Sequence, residues 1–356
     1  MALPKNCVRV SREERCHLDR ALALRQFQEP HFAVHDNAFL DIIGSAPSIE
    51  LGLEKDWPFA HEAGVYLPDQ DAVYITSNGL DTASGKGIKL GKMSRSNGRW
   101  SYEELQTGVT MGNGGVNYRD GVLFCDQGNQ TKAGGLVWME ARPPYKTQTL
   151  ISSYHWRRFS SVNDVVVHGD GSIWFTDPCY GYEQGFRPLP QLPCQVYRFE
   201  ADTGDMRVVA DGFGRPNGLC FSPDEKTMYV TDTDWIHGDG TTDHTRVSTI
   251  YAFDVMERHG SSFLANRRVF AMADEGIPDG IKCDLQGNVY SGCGDGVHVW
   301  SAGGRLLGKV RVAGGVANFC FGRKGEMFLL NETKFWVVRV SERVQGALLA
   351  NMKISV

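Results

Sequence analysis

The stretch Asn163-Asp-Val-Val-Val-His-Gly-Asp-Gly-Ser-Ile-Trp-Phe-Thr-Asp177 runs from a polar start through an apolar run and a Gly/Asp turn into a second apolar run. Gly and Asp let the backbone reverse tightly, and β-branched and aromatic residues on either side favour extended chain, so the stretch reads as a β-hairpin. Both runs, Val165-Val-Val and Ile173-Trp-Phe, are apolar at consecutive positions. Both faces of this sheet must therefore be covered by neighbours. A β-sandwich would show a cleaner alternation of apolar and polar residues, whereas sheets stacked face to face in a ring give the pattern seen.

Working outward, the same unit recurs. Downstream it reads Asn217-Gly-Leu-Cys-Phe-Ser-Pro-Asp-Glu-Lys-Thr-Met-Tyr-Val-Thr-Asp232 and Asp279-Gly-Ile-Lys-Cys-Asp-Leu-Gln-Gly-Asn-Val-Tyr-Ser-Gly-Cys293, with a further start at Asn318-Phe-Cys-Phe-Gly322. Upstream it reads Asn113-Gly-Gly-Val-Asn-Tyr-Arg-Asp-Gly-Val-Leu-Phe-Cys-Asp126 and Glu62-Ala-Gly-Val-Tyr-Leu-Pro-Asp-Gln-Asp-Ala-Val-Tyr-Ile-Thr76. The six starts are about 40 to 60 residues apart, the period of a four-stranded propeller blade. Outer hairpins fit between them: Gln195–Glu200 turns at Ala-Asp-Thr-Gly into Met206–Ala210, and Gly296–Trp300 turns at Ala-Gly-Gly into a run from Leu306. The fold expected is all-β, a single six-bladed propeller over residues 37–356 behind an N-terminal extension of residues 1–36. The segment Asn37–Leu53, with its Ala38-Phe-Leu-Asp-Ile-Ile run, is expected to supply a strand that closes the ring with the last blade.

In a propeller the innermost strands begin at the central channel, so Glu62, Asn113, Asn163, Asn217, Asp279 and Asn318 are expected to converge. Singly, Asn and Asp at such positions often only cap turns. Recurrence at one phase of six repeats argues for a shared site. Two carboxylates and several carboxamides are hard oxygen donors, suited to one divalent cation such as calcium, magnesium or manganese rather than to zinc or copper.

Other signals exclude more than they add. A net charge of -5 gives no electrostatic reason to expect nucleic acid or an anionic membrane as partner. Nine cysteines, odd in number and without a Cys-x-x-Cys pair, indicate neither a zinc ribbon nor a disulfide framework. With no signal-peptide run at the N-terminus and no stretch of membrane-spanning length, a cytoplasmic setting is expected. His61-Glu62 begins a zincin-like pair, but Val65 stands where the second His would be, so that motif fails; His61 is expected to be a substrate-binding residue. No Gly-x-Ser-x-Gly elbow occurs. His155, His237 and His244 are expected to be loop or core residues.

Pro278-Asp279-Gly280-Ile281, Pro216-Asn217-Gly218-Leu219, Asn163-Asp164 and Glu62 before Gly-Val-Tyr-Leu-Pro resemble the senescence-marker (regucalcin) and gluconolactonase family over roughly residues 50–340. Phe159-Ser-Ser-Val-Asn-Asp with Thr176-Asp-Pro-Cys-Tyr-Gly181 is most similar to its lactonohydrolase branch. The resemblance implies a six-bladed propeller holding one catalytic divalent cation, usually calcium. It implies Glu62, Asn163, Asn217 and Asp279 as the metal set, Asp279 also as acid/base, and Asn113, Asn163 and Asn318 as substrate-binding residues. Two departures stand out. Ala63-Gly64 replaces the common Gly-Pro after the Glu, and Ser161 stands where sugar-lactone hydrolases often carry Arg, which argues against a gluconolactone-like substrate.

The activity expected is opening of a lactone or related cyclic ester, with a small molecule as the only expected partner and the closed ring compatible with a monomer. The same site could instead isomerise, cyclise or cleave a specialised metabolite, since function belongs to site and loops rather than to fold. A non-catalytic interaction propeller would not need a ring of polar strand starts. Loops Tyr145–Arg158, Tyr180–Pro193 and Trp235–Arg246 are long and aromatic-rich, and are expected to shape a mouth for a ligand bulkier than a sugar lactone.

Overall fold

A computed structural model describes residues 3–11, 31–83 and 85–356. Each repeat forms one four-stranded antiparallel unit, ordered from the inside outward. They are Glu62–Leu67, Ala72–Thr76, Leu90–Ser96 and Arg99–Leu105 (blade 1), then Gly112–Tyr118, Gly121–Asp126, Gly135–Glu140 and Thr147–Ile151 (blade 2). Val165–Val167, Ile173–Asp177, Gln195–Phe199 and Met206–Ala210 form blade 3, and Pro216–Phe221, Thr227–Asp232, Thr249–Arg258 and Ser261–Met272 form blade 4. Blade 5 has Ile281–Cys283, Val289–Cys293, Gly296–Trp300 and Leu306–Arg311, and blade 6 has Asn318–Phe321, Glu326–Asn331 and Lys334–Arg339. The inner strands of consecutive blades touch in a closed circuit, with Asn318–Phe321 of blade 6 packing against Glu62–Leu67 of blade 1. This is the expected six-bladed propeller.

Consecutive apolar residues are explained by where they go. Val165 and Val167 pack between blades 2 and 3 while Val166 packs between blades 3 and 4; Ile173 and Phe175 face the first layer and Trp174 the second. Six such layers, one between each pair of neighbours, make up the core. Fully buried side chains such as Trp174 and Phe175 each contribute roughly 1.5–3 kcal/mol by leaving water.

The fourth strand of blade 6 comes from the other end of the chain: Ser48–Glu54 pairs antiparallel with Lys334–Arg339. The expected source of that strand is corrected in part, because Ala38–Ile43 is a helix and the strand begins after it. Phe39, Ile42 and Ile43 are buried together in the layer between blades 5 and 6, a spacing that suits one helical face better than a strand. The described parts of residues 1–36 add Cys7–Arg9 and His31–Val34 to the outer edge of blade 5, where His31–Val34 pairs with Leu306–Arg311.

At the bottom of the channel lies the short helix Ala347–Asn351. Leu348 and Leu349 face a small cavity of about 50 Å³ that Val65, Val116, Val166, Leu219 and Cys320 also line, so the helix plugs the channel at this end. Among the described residues no helix is long and apolar enough to cross a membrane. The open end carries the site.

Candidate active site

The strand starts are lifted out of the regular ladders. Register shifts fall between Ala63 and Val65, between Gly112 and Gly115, and between Pro216 and Leu219. Asn163 and Asp279 precede the first ladder-paired residues of their blades, Val165 and Ile281. A bulge breaks the alternation of side chains and re-aims one of them, here toward the channel. Ala63 adopts φ of 68°, the left-handed region that favours glycine, so the Glu62-Ala63-Gly64 bulge is held in strain by its surroundings.

Four of the starts are then pinned through their carbonyls by a neighbouring blade. Thr76 Oγ1 donates to the carbonyl of Asn113 (3.0 Å), Gly114 N to that of Asn163 (2.8 Å), Thr176 Oγ1 to that of Asn217 (2.6 Å) and Thr231 Oγ1 to that of Asp279 (3.1 Å). The glycine after a site residue makes this approach possible. A Cβ on Gly114 would lie 2.5 Å from the Asn163 carbonyl oxygen, and one on Gly218 2.5 Å from that of Asp279. This is the physical reason for the recurring Asn-Gly and Asp-Gly pairs. The Asp that ends the second strand supplies another brace: Asp126 accepts from the backbone N–H of Thr110 and Met111, Asp177 from Ser160 and Ser161, and Asp232 from Gly214 and Arg215.

His61, Glu62, Asn113, Asn163, Asn217 and Asp279 all line one cavity of about 550 Å³. Asn318, expected to line the substrate pocket as well, is not in that lining and is fully buried. Its Nδ2 donates to Glu62 Oε2 at 2.7 Å, and its Oδ1 accepts from Phe319 N at 2.8 Å, so it holds Glu62 from beneath. Asn113 spends one N–H on the carbonyl of Asn163 (3.2 Å).

The floor is rich in buried negative charge. Burial, and beyond it the Glu62 carboxylate, pushes Asp279 well above the ordinary carboxylate range. Burial raises Glu62 too, opposed by His61 and reinforced by Asp164. Part-buried Lys282 brings its Nζ to 3.8 Å from Asp164 Oδ2 and 3.4 Å from Asn318 Oδ1, a positive charge set against these carboxylates. Burial alone would lower His61, but Glu332, at 2.6 Å from Nδ1, together with Glu62 and Asp279 lifts it to about 9.

A divalent cation fits these residues. Asn163 Oδ1 and Asp279 Oδ1 are buried oxygens without any hydrogen-bond partner, which is costly unless something satisfies them. The donors are hard, and two carboxylates match a double positive charge. No cluster of three or more His, Cys, Asp or Glu side chains with metal-binding geometry occurs among the described residues; carboxamides make up the rest of the set.

Sequence reading missed several residues of this site. Tyr180 lines the cavity with its hydroxyl hydrogen-bonded to Thr233 and 3.5 Å from Asn217 Nδ2. Glu183, part-buried in the lining, heads an ionic chain with the buried Arg215 and Asp234, Arg215 meeting Glu183 and Asp234 at 2.5 Å each. The flagged loops Tyr180–Pro193 and Trp235–Arg246 do reach the cavity, whereas no residue of Tyr145–Arg158 lines it. Of the three loop histidines His237 lines it; His244 instead accepts from Trp235 Nε1 at 2.9 Å, and His155 sits against Tyr154.

Comparisons with known proteins bear on the family and the fold. Residues 130–330 match the family model described as SMP-30/Gluconolactonase/LRE-like region. The chain is 32% identical over 303 residues to lactonohydrolase oryL of Aspergillus oryzae, covering 79% of this chain and 67% of that protein. It is 30% identical over 209 residues to the gluconolactonase of Zymomonas mobilis, covering 55% of this chain and 54% of that protein. The chain thus spans between about half and two thirds of the length of these relatives. A solved structure of a gluconolactonase from Xanthomonas campestris superposes with a TM-score of 0.68 at 25% identity, covering 88% of this chain and 95% of that one.

Proposed function

The chain belongs to the SMP-30/gluconolactonase/LRE-like family, and from that premise we propose that it is a hydrolase that opens a lactone or related cyclic ester with the help of one divalent cation, calcium foremost. The observation that carries the reading is the pair of partnerless buried oxygens, Asn163 Oδ1 and Asp279 Oδ1, on the cavity floor beside Glu62. Glu62, Asn163, Asn217 and Asp279 would hold the cation. When bound, it supplies Lewis acidity toward the lactone carbonyl.

The chain's own groups do the rest. Asp279 takes a proton from the attacking water at its carboxylate and returns it to the ring oxygen as the acyl bond breaks, leaving a hydroxy acid. Thr231 and the tight Gly218 contact keep its backbone in place. Asn318 orients Glu62. The second N–H of the Asn113 amide and the imidazole of His61 are the donors that face substrate, and fixed donors of this kind favour the charge that develops on the carbonyl oxygen.

The test is turnover of a panel of γ- and δ-lactones by the purified chain, with and without a chelator, in parallel with Asp279→Asn. Chelator-sensitive hydrolysis that Asp279→Asn abolishes supports the reading. Chelator-resistant hydrolysis, or hydrolysis untouched by the substitution, overturns it.

A further inference from the structure

Beside its polar residues the cavity has an apolar set. Ile88, Met111, Phe186, Ile236 and Ile277 come from loops around blades 1 to 5 and line the walls. Some polar groups on the same walls are engaged with one another, while the side chains of Gln127, Gln184 and His237 also line the cavity. Asn78 Nδ2 donates to Glu332 Oε2 (3.1 Å) while its Oδ1 accepts from Gly79 N (2.7 Å), and His61 Nδ1 meets Glu332 Oε1 at 2.6 Å. Glu183 is taken up by Arg215, with Nε to Oε2 at 3.0 Å, and by Gly238 N at 2.6 Å. That last contact ties the Phe186 loop to the Ile236 loop, so the wall is a fixed surface.

A substituent projecting from a ring on the floor and seated against Phe186, Ile236 and Ile277 meets hydrocarbon. Hydroxyls there would lose water without gaining partners, which costs more than the contact returns. Hydrocarbon there would be rewarded, and about 550 Å³ lies inside the roughly 300–1,000 Å³ typical of sites that enclose ligands well beyond a bare ring.

We propose that the substrate class is a lactone whose ring carries an apolar substituent, an alkyl or aryl group, seated against Phe186, Ile236 and Ile277. This rests on the lactone reading above and deepens it. Ile277 and Ile236 are the specificity-determining positions, since both are only part-buried and face the cavity.

The experiment uses the full chain with calcium and three δ-lactones of one ring size: δ-decalactone, unsubstituted δ-valerolactone and glucono-δ-lactone. One apolar methylene in such a pocket changes kcat/KM by about 10- to 200-fold. The expected order is δ-decalactone above δ-valerolactone by at least about tenfold, with glucono-δ-lactone lowest. Ile277→Asn and, separately, Ile236→Asn, each checked for an unchanged circular dichroism spectrum, should shrink the first ratio by about tenfold. Preference for glucono-δ-lactone, or a ratio that neither substitution moves, overturns the proposal.

Binding of two uncleavable lactams, 6-pentylpiperidin-2-one and piperidin-2-one, separates this proposal from the proposed reaction. Tighter binding of the pentyl compound, lost in Ile277→Asn, upholds the apolar wall even where no lactone is hydrolysed, an outcome that sinks the hydrolase reading alone. Equal binding of the two lactams overturns the wall.

Discussion

Asn318 Nδ2 donates to Glu62 Oε2 at 2.7 Å across 256 residues of chain, joining the first strand of blade 6 to the first strand of blade 1 at the point where the ring closes. The bond serves closure and site together. Asn318→Leu removes the donor and leaves a buried carboxylate oxygen unpaired, so calcium affinity should fall by about 10- to 100-fold, as is usual when the partner that orients a metal ligand is lost. Isothermal titration of the apo-protein with calcium reads this directly. Unchanged affinity would mean that Glu62 needs no orientation.

Asp279→Asn keeps size and shape but removes the charge and the proton acceptor. Turnover of a cleavable lactone should drop by roughly 100- to 10,000-fold, the usual contribution of a general acid/base. Chelation of wild type should abolish turnover, and added calcium should restore it. Full activity of the variant at saturating calcium would assign the proton transfer to another residue.

Thr231 is fully buried; its hydroxyl donates to the Asp279 carbonyl and accepts from Gly218 N at 2.7 Å. Thr231→Val is nearly isosteric and leaves both backbone groups unpaired. The expected loss is about 1–3 kcal/mol, measured by urea denaturation. Thr176→Val, which frees the carbonyl of Asn217 in the same way, should cost a similar amount.

Burial lifts Asp177 to about 7, against the bonds from Ser160 and Ser161 and the nearby Arg187 guanidinium, which pull it down. Its folded form therefore holds a proton that the unfolded chain releases near 3.8. The resulting contribution to stability is fully present below about pH 4 and is lost as pH rises toward 7, amounting to at most on the order of 4 kcal/mol. The stability difference between wild type and Asp177→Asn should accordingly move against wild type across this window. A difference that is flat with pH would show that Asp177 is ionised throughout.

The sequence by itself determined the hairpins and their repetition. Asn163 to Asp177 contains both strands and the turn between them, and runs apolar on both faces can be satisfied only by sheets stacked on each side. It also determined that Glu62, Asn113, Asn163, Asn217 and Asp279 would meet, because residues at one phase of a closed repeat share a position relative to the axis. Only the tertiary structure decided what long-range neighbours do to such residues. It turned Asn318 from a pocket residue into the support of Glu62, set Glu332 against His61 and Arg215 against Glu183, and made Ala38–Ile43 a helix because the layer between blades 5 and 6 takes Phe39, Ile42 and Ile43 on one face. These outcomes depend on which surfaces pack against one another after the ring closes; spacing along the chain records the helical face of Phe39, Ile42 and Ile43, but not the layer that takes it nor the partners that meet Glu62, His61 and Glu183.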